Sequence, residues 1–215
     1  MESHLHTHDL TFFIRPRSSD SSIVHEVIDK DVYEKYYTIQ GHDVVVDIGA
    51  HIGSFSILAA SKGANVYAFE PVAENFALLE KNIAQNGFGV HAFNTAVRGV
   101  DVPTDTIYVR AFNYGGSNLY CGPREGFTPQ EVSCQTLDAI CDQHHLDTIH
   151  FLKLDCEGAE DEILKGCHVL DRIQHLAIEY HFLVRRDTII NLLQPTHHIL
   201  FADTEDMGFL YATHR

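Results

Sequence analysis

A short apolar run followed by two closely spaced glycines constrains the fold of this chain more than any other feature. The run is Val44–Ile48, and Gly49 and Gly53 follow it. Short, nearly all-apolar runs are typical of parallel strands that are buried on both faces. Glycine lets the backbone after such a strand turn sharply and pass close to a ligand, and the first N–H groups of a following helix remain free as donors. The sequence therefore predicts a strand, a tight loop and a helix over residues 53–61, with a ligand site at the loop.

The alternation of apolar runs and helical patterns continues along the chain and predicts an α/β fold. Further predicted strands lie at residues Asn65–Phe69, Val90–Phe93, 106–110, Ile149–Leu154, 175–180, 199–202 and 209–213, with helices at residues 71–86, 138–144 and 159–165. Short connections of this kind imply right-handed crossovers in a parallel sheet, with a site at the carboxyl ends of its strands. The last two runs predict an antiparallel pair at one edge. We therefore expect a mainly parallel sheet with an antiparallel C-terminal strand.

The length of 215 residues suits one domain with a short extension. We predict an N-terminal extension over residues 1–40, with a helix at residues 22–37, and one main domain over residues 41–215. The middle of the chain is less regular and predicts an insertion at about residues 97–131. Long irregular stretches in compact domains are usually functional or disordered. We expect this insertion, with its loop at residues 113–118, to cover the substrate.

The charge of the chain excludes several classes of partner. Thirty acidic residues face fifteen basic ones, and the formal net charge is −15. Such a field repels phosphate backbones and anionic membrane surfaces, so we expect neither a nucleic acid nor a membrane as partner. Nothing in the sequence indicates the oligomeric state.

The remaining composition favours a cytoplasmic protein. No apolar run approaches the roughly 18 residues of a membrane span, and the start, MESHLHTHDL, lacks the basic and apolar regions of a secretory signal. The five cysteines are odd in number and form no C-x-x-C pair, which is typical of free thiols in a reducing compartment. His4, His6 and His8 could hold a metal, but a solvated terminus is the better interpretation.

The glycine loop carries an acid that indicates a cationic ligand. Asp47 stands before Gly49, and the spacing to Gly53 is G-x-x-x-G instead of the G-x-G-x-x-G that binds a pyrophosphate. A carboxylate at this position would repel a pyrophosphate, whereas it suits the ammonium and sulfonium groups of S-adenosylmethionine. The alternative is that Asp47 only braces the loop through its N–H groups.

A second acid stands at the tip of the next strand. Glu70 precedes Pro71, which biases it away from helical backbone angles and keeps it at the strand end. An acid at this tip can accept both ribose hydroxyls of an adenosine. The third strand ends where the adenine edge would lie. The residues predicted to contact the cofactor are Asp47, Gly49, His51, Gly53, Ser54, Phe55, Glu70, Asn94, Thr95, Ala96 and Asp155.

Acids and a histidine also follow the two later strands. Asp155 and Glu157 lie in the predicted crevice, where they can receive a hydroxyl proton or steady a sulfonium. Alternatively, Glu157 caps the next helix, or the acids bind a divalent cation with Glu179, although local spacing fixes no third ligand. Glu179 and His181 project to the same side of their strand, and imidazole is the usual base for a hydroxyl. We predict Asp155, Glu157 and His181 as catalytic residues, without a metal.

Four segments of the chain resemble the FkbM family of S-adenosylmethionine-dependent methyltransferases. They read VVDIGAHIGSFSILAA, YAFEPVAENFALLEKNIAQNG, FLKLDCEGAEDEILKG and LAIEYH, and they cover about residues 44–181. The resemblance implies the class I methyltransferase (Rossmann-like) fold with a seven-stranded sheet. It also implies S-adenosyl-L-methionine as cofactor and, for many members, O-methylation of small molecules or sugars.

The resemblance extends to individual site residues. Asp47, Gly49, Gly53 and Glu70 match the cofactor motif of the family, and Asp155, Glu157 and Gly158 match its D-x-E-G. Position 51 is His, where the general class I motif has glycine.

The sequence thus supports the hypothesis of an S-adenosylmethionine-dependent methyltransferase that acts by direct displacement on a small-molecule or sugar hydroxyl. Three alternatives stay open: an RNA methyltransferase, an NAD-dependent oxidoreductase on a related fold, and a module that binds the cofactor without catalysis. The net charge argues against RNA, and the glycine spacing argues against NAD.

Overall fold

The computed structural model describes residues 3–110, 125–181, 184 and 186–215. The predicted loop at residues 113–118 lies outside this range. The elements are β1 (Ser3–Thr7), β2 (Leu10–Ile14), α1 (Asp20–Ile28), β3 (Val44–Ile48), α2 (Ser54–Ser61), β4 (Asn65–Phe69), α3 (Ala73–Asn86), β5 (Val90–Phe93), β6 (Ala96–Arg98), β7 (Thr104–Arg110), β8 (Phe127–Thr136), α4 (Leu137–His144), β9 (Ile149–Leu154), α5 (Glu160–Gly166), a 3-10 turn (Leu170–Arg172), β10 (Ile173–Tyr180), α6 (Arg186–Leu193), β11 (His197–Ala202) and β12 (Gly208–His214).

Seven strands form the central sheet, in the order β11-β12-β10-β9-β3-β4-β5. Strands β3, β4, β5, β9 and β10 pair in parallel, and β12 is antiparallel to both β10 and β11. The predicted mainly parallel seven-stranded sheet with an antiparallel C-terminal strand is therefore confirmed, and its class I methyltransferase architecture with it. The strand order reverses between β3 and β9, where open α/β sheets bind their ligands.

The sheet is buried on both faces, as the apolar strand sequences predict. Neighbouring residues of β3 point to opposite sides: Val45 packs in a core with α1, α2 and α3, whereas Val46 packs in a core with α4, α5 and α6. Both side chains have no exposed surface. Because the scaffold is packed on two sides, the carboxyl ends of its strands are held in fixed positions.

The hairpin of β1 and β2 docks on α3 through two asparagines of that helix. Strands β1 and β2 form an antiparallel hairpin. The Asn82 side chain accepts from the Phe13 N–H at 2.6 Å, and the Asn86 side chain accepts from the Thr11 N–H at 3.0 Å. Their amide groups also donate to the carbonyls of the same two residues. Residues four apart share one helix face, so α3 pairs with β2 much as a strand would.

The prediction of one helix over residues 22–37 is wrong. Helix α1 begins at Asp20 and ends at Ile28. Asp31 has a φ of +51°, a left-handed conformation that stops a right-handed helix. The chain therefore turns after α1 and reaches the carboxyl end of the sheet in an irregular segment, residues 29–43.

The insertion predicted at about residues 97–131 contains more regular structure than expected. Strands β6, β8 and β7 form a small sheet in that order, and β7 includes the predicted strand at residues 106–110. Strand β8 is not among the predicted strands, since Gly126 and Pro129 are residue types typical of turns. At Pro129 the strand pairs with β7 on one side only, a position that tolerates proline.

The start of α4 differs slightly from the prediction. The helix begins at Leu137, and Thr136 caps it, since the Thr136 hydroxyl accepts from the Ala139 N–H at 3.1 Å. Asp138, where the predicted helix begins, accepts from the His168 N–H. The end of the helix at His144 is confirmed.

Two further observations bear on the environment of the protein. None of the helices in the described ranges is both long and apolar enough to cross a membrane. The cysteines within these ranges, Cys134, Cys141, Cys156 and Cys167, are free thiols.

Candidate active site

The glycine loop joins the ends of three strands. The N–H groups of Gly49 and Ala50 donate to the Phe69 carbonyl at the end of β4, each at 3.0 Å. Gly49 has a φ of +81°, and a Cβ there would lie 1.8 Å from the Asp155 carbonyl oxygen. Only glycine permits this approach. The loop after β3 therefore packs directly against the end of β9, at the switch point of the sheet.

Asp47 is paired inside the protein. It has no exposed surface; its Oδ1 is 2.9 Å from Lys153 Nζ, and its Oδ2 accepts from the Ser56 hydroxyl at 2.5 Å. Lys153 also donates to the Gly49 carbonyl at 2.8 Å. Burial alone lowers the pKa of Lys153, but Asp47 and Asp155 outweigh it and raise that pKa. Asp47 therefore braces the loop through Lys153 and Ser56 instead of through loop N–H groups, and its carboxylate has no exposed surface.

Glu70 lies beside the glycine loop, as its place at the strand tip predicts. It is 4% exposed. Its Oε2 accepts from the His51 N–H at 2.8 Å, and its Oε1 accepts from the Val72 N–H at 2.9 Å and the Asn75 amide at 3.1 Å. Burial raises the pKa of Glu70, against the opposing effect of His51 and these bonds. A carboxylate has about four acceptor positions, so three donors leave room for one ribose hydroxyl rather than two.

His51 connects the loop to the N-terminal extension. Its Nε2 is 3.2 Å from Arg15 Nη2 and 3.4 Å from Asp20 Oδ1. Arg15 in turn donates to both carboxylate oxygens of Asp20. Burial alone raises the pKa of Asp20, but the hydrogen bonds with His51 and Arg15 lower it well below its usual range. His51 is 8% exposed, and its Nδ1 is buried without a hydrogen-bond partner.

The other predicted cofactor residues contribute little side-chain surface. Ser54 and Phe55 are buried, and the Phe55 ring packs against Tyr33 and Phe151. What they can offer a ligand is the N–H groups at the start of α2. Ala96 is buried in β6, and Thr95 contacts Ser133.

Asn94 supports the backbone around Glu70. Its amide donates to the Glu70 carbonyl at 2.8 Å and the Pro71 carbonyl at 3.0 Å. It therefore fixes the turn that presents Glu70, which places it next to the predicted site in a supporting position.

Four carboxylates surround His181 at the ends of β9 and β10. Its Nδ1 is 3.2 Å from Glu160 Oε1, and its Nε2 is 3.7 Å from Glu157, 3.9 Å from Asp155 and 4.0 Å from Glu179. Burial alone lowers the pKa of His181, but the bond with Glu160 and the charges of Asp155 and Glu157 raise it to about 10. His181 is therefore an imidazolium at neutral pH and lacks the free lone pair of a base.

The pKa of Glu157, a neighbour of His181, is also raised. Burial raises the pKa of Glu157 to about 7, with further contributions from Asp155 and Glu160 against the charge of His181. The D-x-E-G segment holds Glu157 in a left-handed conformation, with a φ of +55°. Glu157 does not cap the next helix. Glu160 accepts from the N–H groups of Cys156 and Gly158 at 3.0 Å, which leaves Glu157 directed at His181.

Tyr33 completes this cluster from the irregular segment after α1. Its hydroxyl is 2.9 Å from Asp155 Oδ2 and 3.0 Å from Glu179 Oε2. Burial, followed by the charges of Asp155 and Glu179, raises the pKa of Tyr33 well above its usual value. Burial and the charge of Asp155 raise the pKa of Glu179 to about 8.

Sequence reasoning missed Tyr33, Lys153, Arg15, Asp20 and Glu160. Lys153 carried a usable signal, because a single lysine in an apolar strand requires a buried partner. No local pattern indicates Tyr33, since its partners lie 122 and 146 residues away.

The residues present fit S-adenosylmethionine. Its ribose hydroxyl matches the acceptor position left on Glu70, and the buried Nδ1 of His51 lies on the same loop. Its cationic sulfonium and ammonium groups suit a region where four carboxylates face one imidazolium. Within the ranges that the structure describes, no group of three or more His, Cys, Asp or Glu side chains is arranged to hold a metal ion.

Three curated proteins are similar to this chain in sequence. Methyltransferase sdnD of Sordaria araneosa is 24% identical over 219 residues, covering 83% of this chain and 81% of sdnD. The 31-O-demethyl-FK506 methyltransferase FkbM of Streptomyces tacrolimicus is 27% identical over 170 residues, covering 65% of each. The AMB antimetabolite synthetase AmbE of Pseudomonas aeruginosa is 23% identical over 198 residues, covering 74% of this chain and 9% of AmbE.

Solved structures show the same fold. The T. thermophilus 16S rRNA N2 G1207 methyltransferase RsmC, in complex with AdoMet and guanosine, has a TM-score of 0.52 at 11% identity, covering 100% of this chain and 50% of RsmC. The chain thus spans less than two thirds of the length of AmbE, FkbM and RsmC. The family described as Methyltransferase FkbM domain matches residues 47–211. Because this match spans most of the chain and agrees with the sheet order, the chain belongs to the FkbM family of S-adenosylmethionine-dependent methyltransferases.

Proposed function

We propose that this methyltransferase transfers a methyl group to a hydroxyl oxygen of a small molecule or sugar. The observation that carries the proposal is the group of carboxylates around His181, at the carboxyl ends of β9 and β10. A hydroxyl acceptor must lose its proton during transfer, and a positioned carboxylate is suited to receive it. The name of the FkbM relative describes methylation at an oxygen, which supports the same chemistry here.

The cofactor would bind on the glycine-loop side of the site, which comprises Asp47, Gly49, His51, Gly53 and Glu70. Glu70 would accept a ribose hydroxyl, and His51 and the first N–H groups of α2 would supply further polar contacts. Gly49 and Gly53 shape the loop, and Asp47 acts through Lys153. When bound, S-adenosylmethionine supplies an electrophilic methyl group. The chain's own contribution is alignment of the acceptor oxygen with that methyl, which removes most of the entropic cost of the encounter.

The proton of the acceptor would be removed on the acidic side of the site, which comprises Asp155, Glu157, Glu179 and His181. We assign Asp155 as the base, with Glu157 as the group that can take its place. His181 was predicted as a base, but an imidazolium cannot accept a proton. We therefore give it the role of a fixed positive charge that holds Asp155 and Glu157 toward the acceptor.

Family membership excludes the oxidoreductase alternative. The RNA alternative is disfavoured by the net charge of −15, and the likeness to RsmC at 11% identity concerns the fold alone. We propose a small-molecule acceptor without nucleic-acid or membrane partners. The free thiols of the described cysteines suit a reducing, cytoplasmic compartment.

Two measurements test the proposal. Calorimetry should detect S-adenosylmethionine binding to the intact protein and no binding of NAD. Methyl-labelled cofactor should then label members of a panel of uncharged polyhydroxyl compounds, and not a structured RNA at low salt. Binding without transfer to any panel member would favour a binding module, and transfer to RNA would replace the acceptor that we propose.

A further inference from the structure

We propose that Tyr33 is a positioning residue of the active site, whose hydroxyl holds Asp155 and Glu179 in the arrangement that proton removal requires. This inference rests on the proposed function. Tyr33 lies outside the family match of residues 47–211, so the N-terminal extension would supply part of the site.

The geometry of Tyr33 is fixed by packing. It is buried, and its ring makes edge contacts with Phe55 of α2, at 5.3 Å between centroids, and with Phe209 of β12, at 5.8 Å. Lys153 Nζ lies 5.2 Å from the ring centroid, within reach of a cation–π interaction. The hydroxyl is therefore delivered to the two carboxylates by a rigid ring.

A proton count shows what this arrangement requires. A phenol hydroxyl has one hydrogen, yet it lies within 3.0 Å of two carboxylate oxygens. The Tyr33 hydroxyl donates toward both oxygens, so Asp155 and Glu179 share its one hydrogen. Burial and the charge of Asp155 raise the pKa of Glu179 to about 8, against the opposing effect of the Tyr33 hydrogen bond. Tyr33 therefore holds the two carboxylates at one point and opposes protonation of Glu179.

The orientation of Asp155 follows from the same contacts. Its Oδ2 faces the Tyr33 hydroxyl at 2.9 Å and Lys153 Nζ at 3.7 Å, and its Oδ1 lies 3.9 Å from His181 Nε2. During transfer the acceptor oxygen bonds to the methyl carbon, the electron pair of the broken carbon–sulfur bond stays on sulfur, and Asp155 takes the hydroxyl proton. Tyr33 holds Asp155 in the position from which it takes this proton.

The test compares two tyrosines of the same segment. Tyr33→Phe removes the hydroxyl and keeps the ring contacts. Tyr37→Phe is the matched control, because Tyr37 donates to Asp43 Oδ2 at 2.8 Å near the start of β3, at the opposite end of the strand from the site. With an accepted substrate, Tyr33→Phe should lower kcat about 10- to 100-fold with the Kd for S-adenosylmethionine unchanged. Tyr37→Phe should leave kcat unchanged.

A second readout needs no acceptor, so it separates failure of this inference from failure of the proposed function. The imidazole of His181 is titrated by NMR and assigned by difference with His181→Gln. The Tyr33 hydrogen bond lowers the pKa of Glu179, so its loss leaves Glu179 protonated to higher pH and reduces the negative charge near His181. The groups that face this region are Lys153 of β9, Asp155, Glu157 and Glu160 after it, and Glu179 of β10.

We therefore expect His181 in Tyr33→Phe to lose its proton at a lower pH than in the parent protein, and His181 in Tyr37→Phe to titrate as in the parent. Equal titration of His181 in the parent and in Tyr33→Phe would overturn the inference, whatever acceptor the enzyme uses. A shift of His181 without transfer to any hydroxyl would support the role of Tyr33 and reject the acceptor class.

Discussion

Asp47 and Glu70 on the glycine-loop side are buried, and each accepts hydrogen bonds from several donors of the chain. Asp155, Glu157 and Glu179 on the acidic side are partly exposed and crowd around one imidazole. In the first region the carboxylates have hydrogen-bond or ion-pair partners within the chain, so this region is suited to hold the loop in a fixed conformation. The second has more negative charge than its cations neutralise, and perturbed groups of this kind cluster where chemistry occurs. The comparison shows that two acidic strand ends of one sheet can have different functions, depending on how many hydrogen-bond donors surround each carboxylate.

Asp155→Asn should break the acidic side most severely. An amide cannot accept the hydroxyl proton as a carboxylate does, so transfer of labelled methyl should fall about 10²- to 10⁴-fold. Calorimetry should show the affinity for S-adenosylmethionine little changed. Asp161→Asn is the control, since Asp161 pairs with Lys165 on α5 instead of joining the cluster. A transfer rate within twofold of the parent would remove Asp155 from the mechanism.

Lys153→Met should break the glycine-loop side by leaving Asp47 as an unpaired buried charge. Removing one partner of a buried ion pair costs about 3–5 kcal/mol, which urea denaturation measures as a loss in the free energy of unfolding. Lys165→Met removes an exposed partner and should cost less than about 1 kcal/mol. The double variant Lys153→Met/Asp47→Asn should recover part of the loss, and no recovery would contradict the pairing.

Glu70→Gln tests the glycine-loop side, because it weakens the proposed contact with the cofactor and keeps a side chain of the same size. The amide loses the charge that the His51 and Val72 N–H groups and a ribose hydroxyl share. Hydrogen bonds to charged groups contribute about 1.5–3 kcal/mol, so we expect roughly 10- to 100-fold weaker binding of S-adenosylmethionine by calorimetry. Glu74→Gln, in the first turn of α3, is the control. Parent-like affinity in Glu70→Gln would show that another group holds the ribose.

The smallest expected effect is on the pH dependence of the free energy of unfolding. The folded protein raises the pKa of His181 from 6.5 to about 10. A raised folded-state pKa gives a stability contribution that is complete below pH 6.5 and lost as the pH rises toward 10. Relative to His181→Gln, the parent should lose about 1 kcal/mol of unfolding free energy across this window, because solvent screens part of each charge. A constant difference between the two proteins from pH 6 to 10 would contradict the imidazolium assignment.

Local patterns predicted the scaffold well because they report backbone requirements. The apolar run of β3, the glycines after it and the proline after Glu70 each restrict the chain within a few residues. They therefore placed Glu70 beside the loop and Asp155 at a strand end. The same reasoning extended α1 too far, because Asp31's left-handed turn is not visible in a local pattern. Nor does a local pattern indicate the three donors that surround Glu70.

The positions of the main strands and of the glycine loop, and the acids at the strand ends, were determined by the sequence alone, since hydrophobic period and glycine placement act over short distances. Tertiary structure alone decided which acids are neutralised and which remain charged. Lys153 reaches Asp47 across 106 residues, and Tyr33 reaches Asp155 across 122. Such contacts depend on how distant segments pack, and the charge state of a buried carboxylate depends on those contacts through desolvation and nearby donors.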